Sequence, residues 1–285
     1  MPLSLSYFYH GTMFVNLAEI LFMKKPFFLL AFVFASTGLA SLEAQEYAVR
    51  NIHNKAFKEG EVLTFKLHYG FINAGIGVLQ VMDKPVKVSG KECLHIVATG
   101  RTISSFDWIY KVRDRYETYI DKQAMVPMKF VRDVYEGGYV FKDNYLFDQQ
   151  SNKVNANGEQ FEVPHYVQDI VSSFYYARTV DFRNARKGDT FEVPMFMDKE
   201  THNFKFRFMG RTTLNLDKGK FKVMIFMPVV MKGRVFKNEE DLTVYVSDDD
   251  NKIPLQIKAN ILIGSVKMTL TDYSGLKNPL TSKIE

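Results

Sequence analysis

One stretch of this chain, Val163 to Asp181 (VPHYVQDIVSSFYYARTVD), has helical periodicity, and most of what flanks it alternates with period two. A chain patterned in this way folds as β-structure organised about a single helix. Within the stretch, Val167, Ile170, Val171, Phe174, Tyr175 and Arg178 share one helical face, and Gln168, Asp169 and Ser172 lie opposite. The pattern predicts an amphipathic helix laid on a sheet, with Pro164 in its first turn, where a missing N–H costs nothing.

Ahead of the helix the spacing predicts an antiparallel meander. Leu63, Phe65, Leu67 and Tyr69 alternate with Thr64, Lys66 and His68, as in a half-buried strand. Gly70 to Gly77 supplies a turn and then glycines early in the next strand, where a bulge or a close backbone approach is expected. Further strands are expected at Cys93–Thr99, Tyr116–Ile120, Met128–Asp133 and Tyr139–Phe147, with Asp121 to Ala124 as a turn.

After the helix the landmarks recur in the same order. Gly60-Glu61 returns as Gly188-Asp189, Gly90-Lys91 as Gly219-Lys220, Pro127 as Pro254 and Gly138 as Gly264, each about 126–129 residues on. Tyr116–Asp121 aligns with Leu242–Ser247. The expectation is an all-β, mostly antiparallel domain of two pseudo-repeated halves, 57–150 and 185–275, joined by the 163–181 helix and curved into a barrel or half-barrel. In the second half, Phe204, Phe206 and Phe208 alternate with Lys205 and Arg207. Phe221 to Met231 has no polar face, which predicts a strand covered on both sides.

The first 44 residues read as an address. Met23-Lys24-Lys25 is a basic start, Phe27 to Phe34 an unbroken apolar run, and small residues follow to Ala44, the form of a secretory signal peptide with translation starting at Met23. The apolar run is shorter than the roughly 20 residues a membrane span needs, and the only cysteine, Cys93, is too far downstream for a lipoprotein signal. A soluble periplasmic protein of residues 45–285 is expected, with no transmembrane anchor after cleavage. Its net charge of +5 is mild and scattered, and a lone cysteine cannot staple the fold, so the domain is held by its core.

Templates for chemistry fail on residue type or spacing. There is no thiolate zinc site, no HExxH, no GxSxG elbow and no P-loop. His165 and Asp169 are four apart, as two metal ligands can be, yet an Asp at a helix start is favoured by the dipole alone. Asp107, Asp114 and Glu117 could pair as in a glycosidase, although nothing in the sequence sets their separation. A nucleic-acid reader is excluded by the export signal and the lack of a basic cluster. No metal, cofactor or catalytic residue is assigned.

Four segments carry a resemblance. They are Gly60-Glu61-Val62-Leu63 through Ala74-Gly75, Arg113 to Glu117, Asp169 to Arg178, and Val246 to Asp249 through Pro254 to Gly264. In this order and spacing the chain resembles the bacterial envelope family called domain of unknown function 3108, from about Phe57 to Leu270. The resemblance implies an exported, mostly β protein with no established activity.

The leading functional expectation is non-enzymatic binding of a lipid or other apolar or amphipathic envelope molecule. Met195, Met197, Phe226 and Met231 are the expected wall of a cavity, with Trp108 and Tyr110 at its mouth, because thioethers and flat rings adapt to an acyl chain. A glycan hydrolase would show an open cleft with paired carboxylates, and a structural or partner-binding protein a filled core. The sequence leaves the oligomeric state open.

Overall fold

The computed structural model describes residues 50–229, 241–261 and 264–284. The signal segment and Met231 lie outside them. The strands of the first half are β1 (Val62–Tyr69), β2 (Ile72–Val81), β3 (Val86–Val88), β4 (Lys91–Thr102), β5 (Val112–Asp121), β6 (Pro127–Glu136) and β7 (Tyr139–Asp148). A short helix α1 (Ser104–Asp107) joins β4 to β5. Next come β8 (Lys153–Ala156), β9 (Glu159–Glu162) and the helix α2 (Ile170–Thr179). The second half is β10 (Thr190–Met197), β11 (Glu200–Leu216), β12 (Gly219–Pro228), β13 (Leu242–Ser247), β14 (Pro254–Asn260) and β15 (Ser265–Ser274).

All strands belong to one antiparallel sheet, ordered β10-β11-β12-β13-β14-β15-β1-β2-β4-β5-β6-β7-β8-β9, with β3 paired to β4. Each half is thus a six-stranded meander, and β15 pairing with β1 fuses the two. The strands correspond at the expected period: β1 starts at Val62 and β10 at Thr190, 128 residues on, while β7 ends at Asp148 and β15 at Ser274, 126 residues on. Turn chemistry sets these boundaries. Gly60 and Gly188 hold positive φ values just ahead of β1 and β10, a backbone that glycine adopts without a Cβ clash. Gly75 is the close approach expected from the sequence, since a Cβ there would lie 2.5 Å from the Arg101 carbonyl oxygen on β4.

The sheet does not close by backbone pairing. Side chains bridge the seam instead: Arg132 of β6 binds both Asp143 of β7 and Asp198 of the β10–β11 turn, and Lys199 binds Glu159 at 2.7 Å. Phe196 of β10 meets Tyr145 and Phe161 across the same gap, with ring centroids 5.5 and 5.4 Å apart.

The helix is placed differently from the expectation. It spans ten residues, not nineteen, and it is not laid on a sheet with one face wet: Gln168, Asp169, Ser172 and Ser173 are all buried. Residues of both halves pack around α2 in the main core. Pro164 precedes the helix, in a strap whose Gln168 pairs with β10 through its backbone N–H to Pro194 and its carbonyl to Phe196, both 2.8 Å. The buried polar first turn is tolerated because it is satisfied. Asp169 accepts from the Val171 and Ser172 N–H groups at 2.8 Å and from the Thr118 hydroxyl at 2.5 Å, and Ser172 Oγ accepts from the Asp169 N–H. That reciprocal arrangement is a capping box.

A second, smaller core gathers Leu63, Phe65, Phe221, Val223, Ile253, Leu255 and Leu270. β12 contributes Phe221 and Val223 to this core and Met224 and Phe226 to the main one. Its described part is therefore covered on both sides, as its unbroken apolar run requires.

Candidate functional site

Three places could carry function: the interior beside α2 and the two ends of the sheet. Inside, Arg178 of α2 makes a two-pronged bond to Glu61 (2.6 and 2.7 Å) and donates to the Asn251 carbonyl at 3.0 Å. The guanidinium also lies 5.0 Å from the Phe57 ring centroid and 5.1 Å from that of Tyr175. One side chain thus ties the helix to the start of β1 and to the β13–β14 turn. Burial pulls the Arg178 pKa down, but the Glu61 carboxylate outweighs it and the net shift is upward. The pair is a locked structural ion pair with no acid or base to offer a substrate.

Beside it lies an apolar cavity of about 90 Å3 walled by Phe174, Tyr175, Phe182, Phe204, Phe206 and Phe226. Ligand pockets run to roughly 300–1,000 Å3, so an acyl chain does not fit. Of the expected wall, Phe226 lines this space. Met195 and Met197 do not; they are buried at 1% exposure in the core. The physical reason is that the rings of Phe182, Phe191, Phe206 and Phe226 meet in edge-on and tilted contacts and occupy volume that the Met/Phe surplus was expected to leave open.

The expected mouth residues lie elsewhere. Trp108 and Tyr110 follow α1 in the β4–β5 connection and do not line the cavity. This connection shares one end of the sheet with three other hairpin tips, β14–β15, β1–β2 and β6–β7, as the pairings Asn260 with Ser265, Tyr69 with Ile72, Arg101 with Arg113 and Glu136 with Tyr139 require. The tips are braced against one another. Gly70 N–H donates to the Ser265 carbonyl at 2.9 Å, Ile103 N–H to Ala74 at 3.1 Å, and Gly137 N–H to Lys111 at 2.9 Å. Tyr110 packs so tightly on Gly137 that a Cβ there would come within 2.3 Å of its ring.

This end presents apolar side chains to solvent. Phe71 is wholly exposed and Trp108 is 82% exposed, and Ile72, Ile109, Tyr135, Tyr139 and Val140 are exposed with them. Among the described residues, only Leu146 and Ile284 are exposed large hydrophobics outside this end. Sequence reasoning singled out Trp108 and Tyr110 but missed Phe71, Ile72, Tyr139 and Val140. The available signal was bulky apolar residues directly beside turn glycines Gly70 and Gly138.

The opposite end holds an open cleft of about 590 Å3, lined among others by Lys91, Asp121, Met128, Leu146, Asp148 and Lys153. It mixes charge and apolar surface. The candidate carboxylates are not there: Asp107 is bound to Arg113 at 2.5 Å, and Glu117 to His95 and Arg115 at 2.6 and 2.7 Å. Asp114 is pushed up to about 6 by burial, against a hydrogen bond with Glu136, and lines neither space. His165 binds Asn152 at 2.7 Å, and Asp169 caps α2. Burial pushes the Cys93 thiol up to about 11, as suits a small apolar filler. Among the described residues no group of three or more His, Cys, Asp or Glu could hold a metal, and no helix is long and apolar enough to cross a membrane.

Solved structures that this chain matches include a β-barrel-like protein of domain of unknown function DUF1849 from Brucella abortus, 10% identical, covering 80% of this chain and 99% of that one, with a TM-score of 0.49. A proposed lipoprotein from Parabacteroides distasonis matches at 13% identity over 79% and 99% of the two chains, with a TM-score of 0.32. A proposed exported protein with a YmcC-like fold from Bacteroides fragilis matches at 10% identity over 78% and 99%, with a TM-score of 0.34. A search of curated proteins gave no match. The family model described as "Protein of unknown function (DUF3108)" matches residues 64–271, from within β1 to within β15, and the chain belongs to that family.

Proposed function

We propose that this is a non-enzymatic periplasmic protein that acts through the apolar end of its sheet by binding another component of the cell envelope. The observation that carries this reading is the gathering of exposed apolar residues at one end while the interior is filled. An exposed apolar cluster in a water-soluble fold marks an interaction site, because each such ring left in water forgoes burial. The periplasmic address rests on the Met23 to Ala44 segment. Co-sedimentation with salt-washed envelopes tests the reading: wild type is retained and Phe71→Ser/Trp108→Ser is released, with unchanged melting. Equal retention of the double variant would refute it.

A second reading keeps the binding of a small amphipathic envelope molecule and moves it to the other end. The 590 Å3 cleft has the volume of a ligand site, with Met128 and Leu146 beside Lys91 and Lys153. Native mass spectrometry of protein taken from its own envelope, with and without Met128→Asp, tests this. A co-purified mass lost in the variant supports the cleft; a bare wild-type chain counts against it.

A further inference from the structure

We propose that the end of the sheet formed by the β14–β15, β1–β2, β4–β5 and β6–β7 tips docks onto the surface of an anionic phospholipid bilayer. The inference rests on the reading that the protein acts through this end, and it names the partner. The geometry favours a bilayer over a groove-forming protein. The apolar side chains sit on the tips of three separate, adjacent hairpins: Phe71 and Ile72, then Trp108 and Ile109, then Tyr139 and Val140. Phe71 and the Trp108–Ile109 pair lie beyond the last paired residues of their strands, while Ile72, Tyr139 and Val140 occupy the first rungs of β2 and β7. The bracing bonds between tips, and Tyr110 wedged on Gly137, hold them without further ordering on contact. Pre-ordered tips avoid the entropic penalty that mobile loops incur when they bind.

The composition also fits a headgroup boundary. Trp and Tyr rings favour that layer, with their polar edges in headgroups and their bodies in the acyl region. Trp108 already spends its indole N–H on the Ser105 carbonyl at 3.0 Å, so its ring can enter an apolar layer with no donor left bare. Cations are interleaved: Arg101 and Lys111 are exposed beside the tips, and the Lys111 ammonium lies 5.7 Å from the Tyr135 ring centroid. Neighbouring acids are answered locally, Asp107 by Arg113 and Asp133 by Lys142 at 2.8 Å, and Glu136 is buried. Arg101 and Lys111 therefore stand as cations among the apolar points, which complements anionic headgroups.

Trp108 is the sole tryptophan of the chain, so its emission reports this end and not the apolar Phe27 to Phe34 run. The full chain is titrated with phosphatidylcholine vesicles containing about one-third phosphatidylglycerol, and separately with pure phosphatidylcholine. The expected result with the anionic vesicles is a blue shift of the emission and its quenching by bromine-labelled acyl chains. Phe71→Ser is expected to weaken partitioning about tenfold, and Lys111→Glu by a similar factor, with the Lys111→Glu loss erased at high salt. Phe71→Ser and Lys111→Glu alter exposed side chains, so unchanged circular dichroism accompanies the loss. Vesicle binding with unchanged, unquenched Trp108 emission overturns the proposal, because another part of the chain is then the anchor. No vesicle response, combined with loss of envelope retention in Phe71→Ser/Trp108→Ser, also overturns it: the end then binds a protein, and the broader reading of an interacting end stands.

Discussion

The two halves of the sheet share strand order and spacing and differ in where they put their aromatic rings. In the second half Phe191, Phe204, Phe206, Phe208 and Phe226 turn inward and stack, with Phe182, against the helix. In the first half Phe71, Trp108 and Tyr139 stand outward on hairpin tips. Both halves bury rings, Phe65, Phe130, Tyr145 and Phe147 in the first among them, but among the described residues the first half alone also carries exposed ones. The lesson is that a surplus of Phe and Met in a β protein does not by itself indicate a chamber. Burial decides, and here the rings that are numerous are packed while the rings that are few are exposed.

The largest effect expected concerns the bond that unites the halves. Arg178→Ala leaves Glu61 buried without its partner, which costs about 3–5 kcal/mol. Urea denaturation followed by Trp108 emission, which reports the first half, and by far-ultraviolet circular dichroism should show one coincident transition, shifted to lower urea. Two separated transitions in the variant would mean that each half holds its own structure and that the clamp merely decorates the interface.

A smaller effect is pH-dependent. Burial raises the Asp169 pKa well above the usual carboxylate range, to about 6, despite bonds from Thr118, Ser172 and Val171. The folded protein therefore holds this proton more tightly than the unfolded chain. The associated stabilisation is present below the unfolded value and is lost as pH rises through about 6, to a total of up to about 3 kcal/mol. Asp114 is shifted in the same direction, so the isolating measurement is the difference between wild type and Asp169→Asn. That difference should change between about pH 4 and pH 7; a flat difference would show that the capping bonds cancel the burial.

Smaller again is Ser172→Ala, which removes one arm of the capping box and should lower stability by about 1 kcal/mol. From the helical pattern alone Ser172 looks like a solvent-facing position where the change is silent, so the melting temperature separates a helix packed inside the sheet from one lying on it.

The strands were legible because a strand buried on one face must alternate, as Leu63 and Phe65 do, and because turn glycines such as Gly60 and Gly188 mark its ends. The helix was legible as a helix but not in its surroundings. Periodicity sorts residues by polarity, and Gln168, Asp169 and Ser172 are polar yet buried because capping and backbone bonds satisfy them. The exposed apolar end was half legible. Trp108 stood out by rarity, whereas Phe71 and Ile72 read as a mere turn because exposure depends on how far a tip projects. Met195 and Met197 were misplaced as pocket wall for a related reason: a filled core and an open pocket use the same side chains.

Envelope retention of Phe226→Ala, set beside that of Phe71→Ser at a temperature where both variants are folded, tests the division between filled interior and working surface most directly. Phe226→Ala should melt earlier, by about 3–5 kcal/mol of lost stability, yet remain with the envelope like wild type, while Phe71→Ser melts like wild type and is released. Release of folded Phe226→Ala together with retention of Phe71→Ser would place the binding site in the interior and contradict the account.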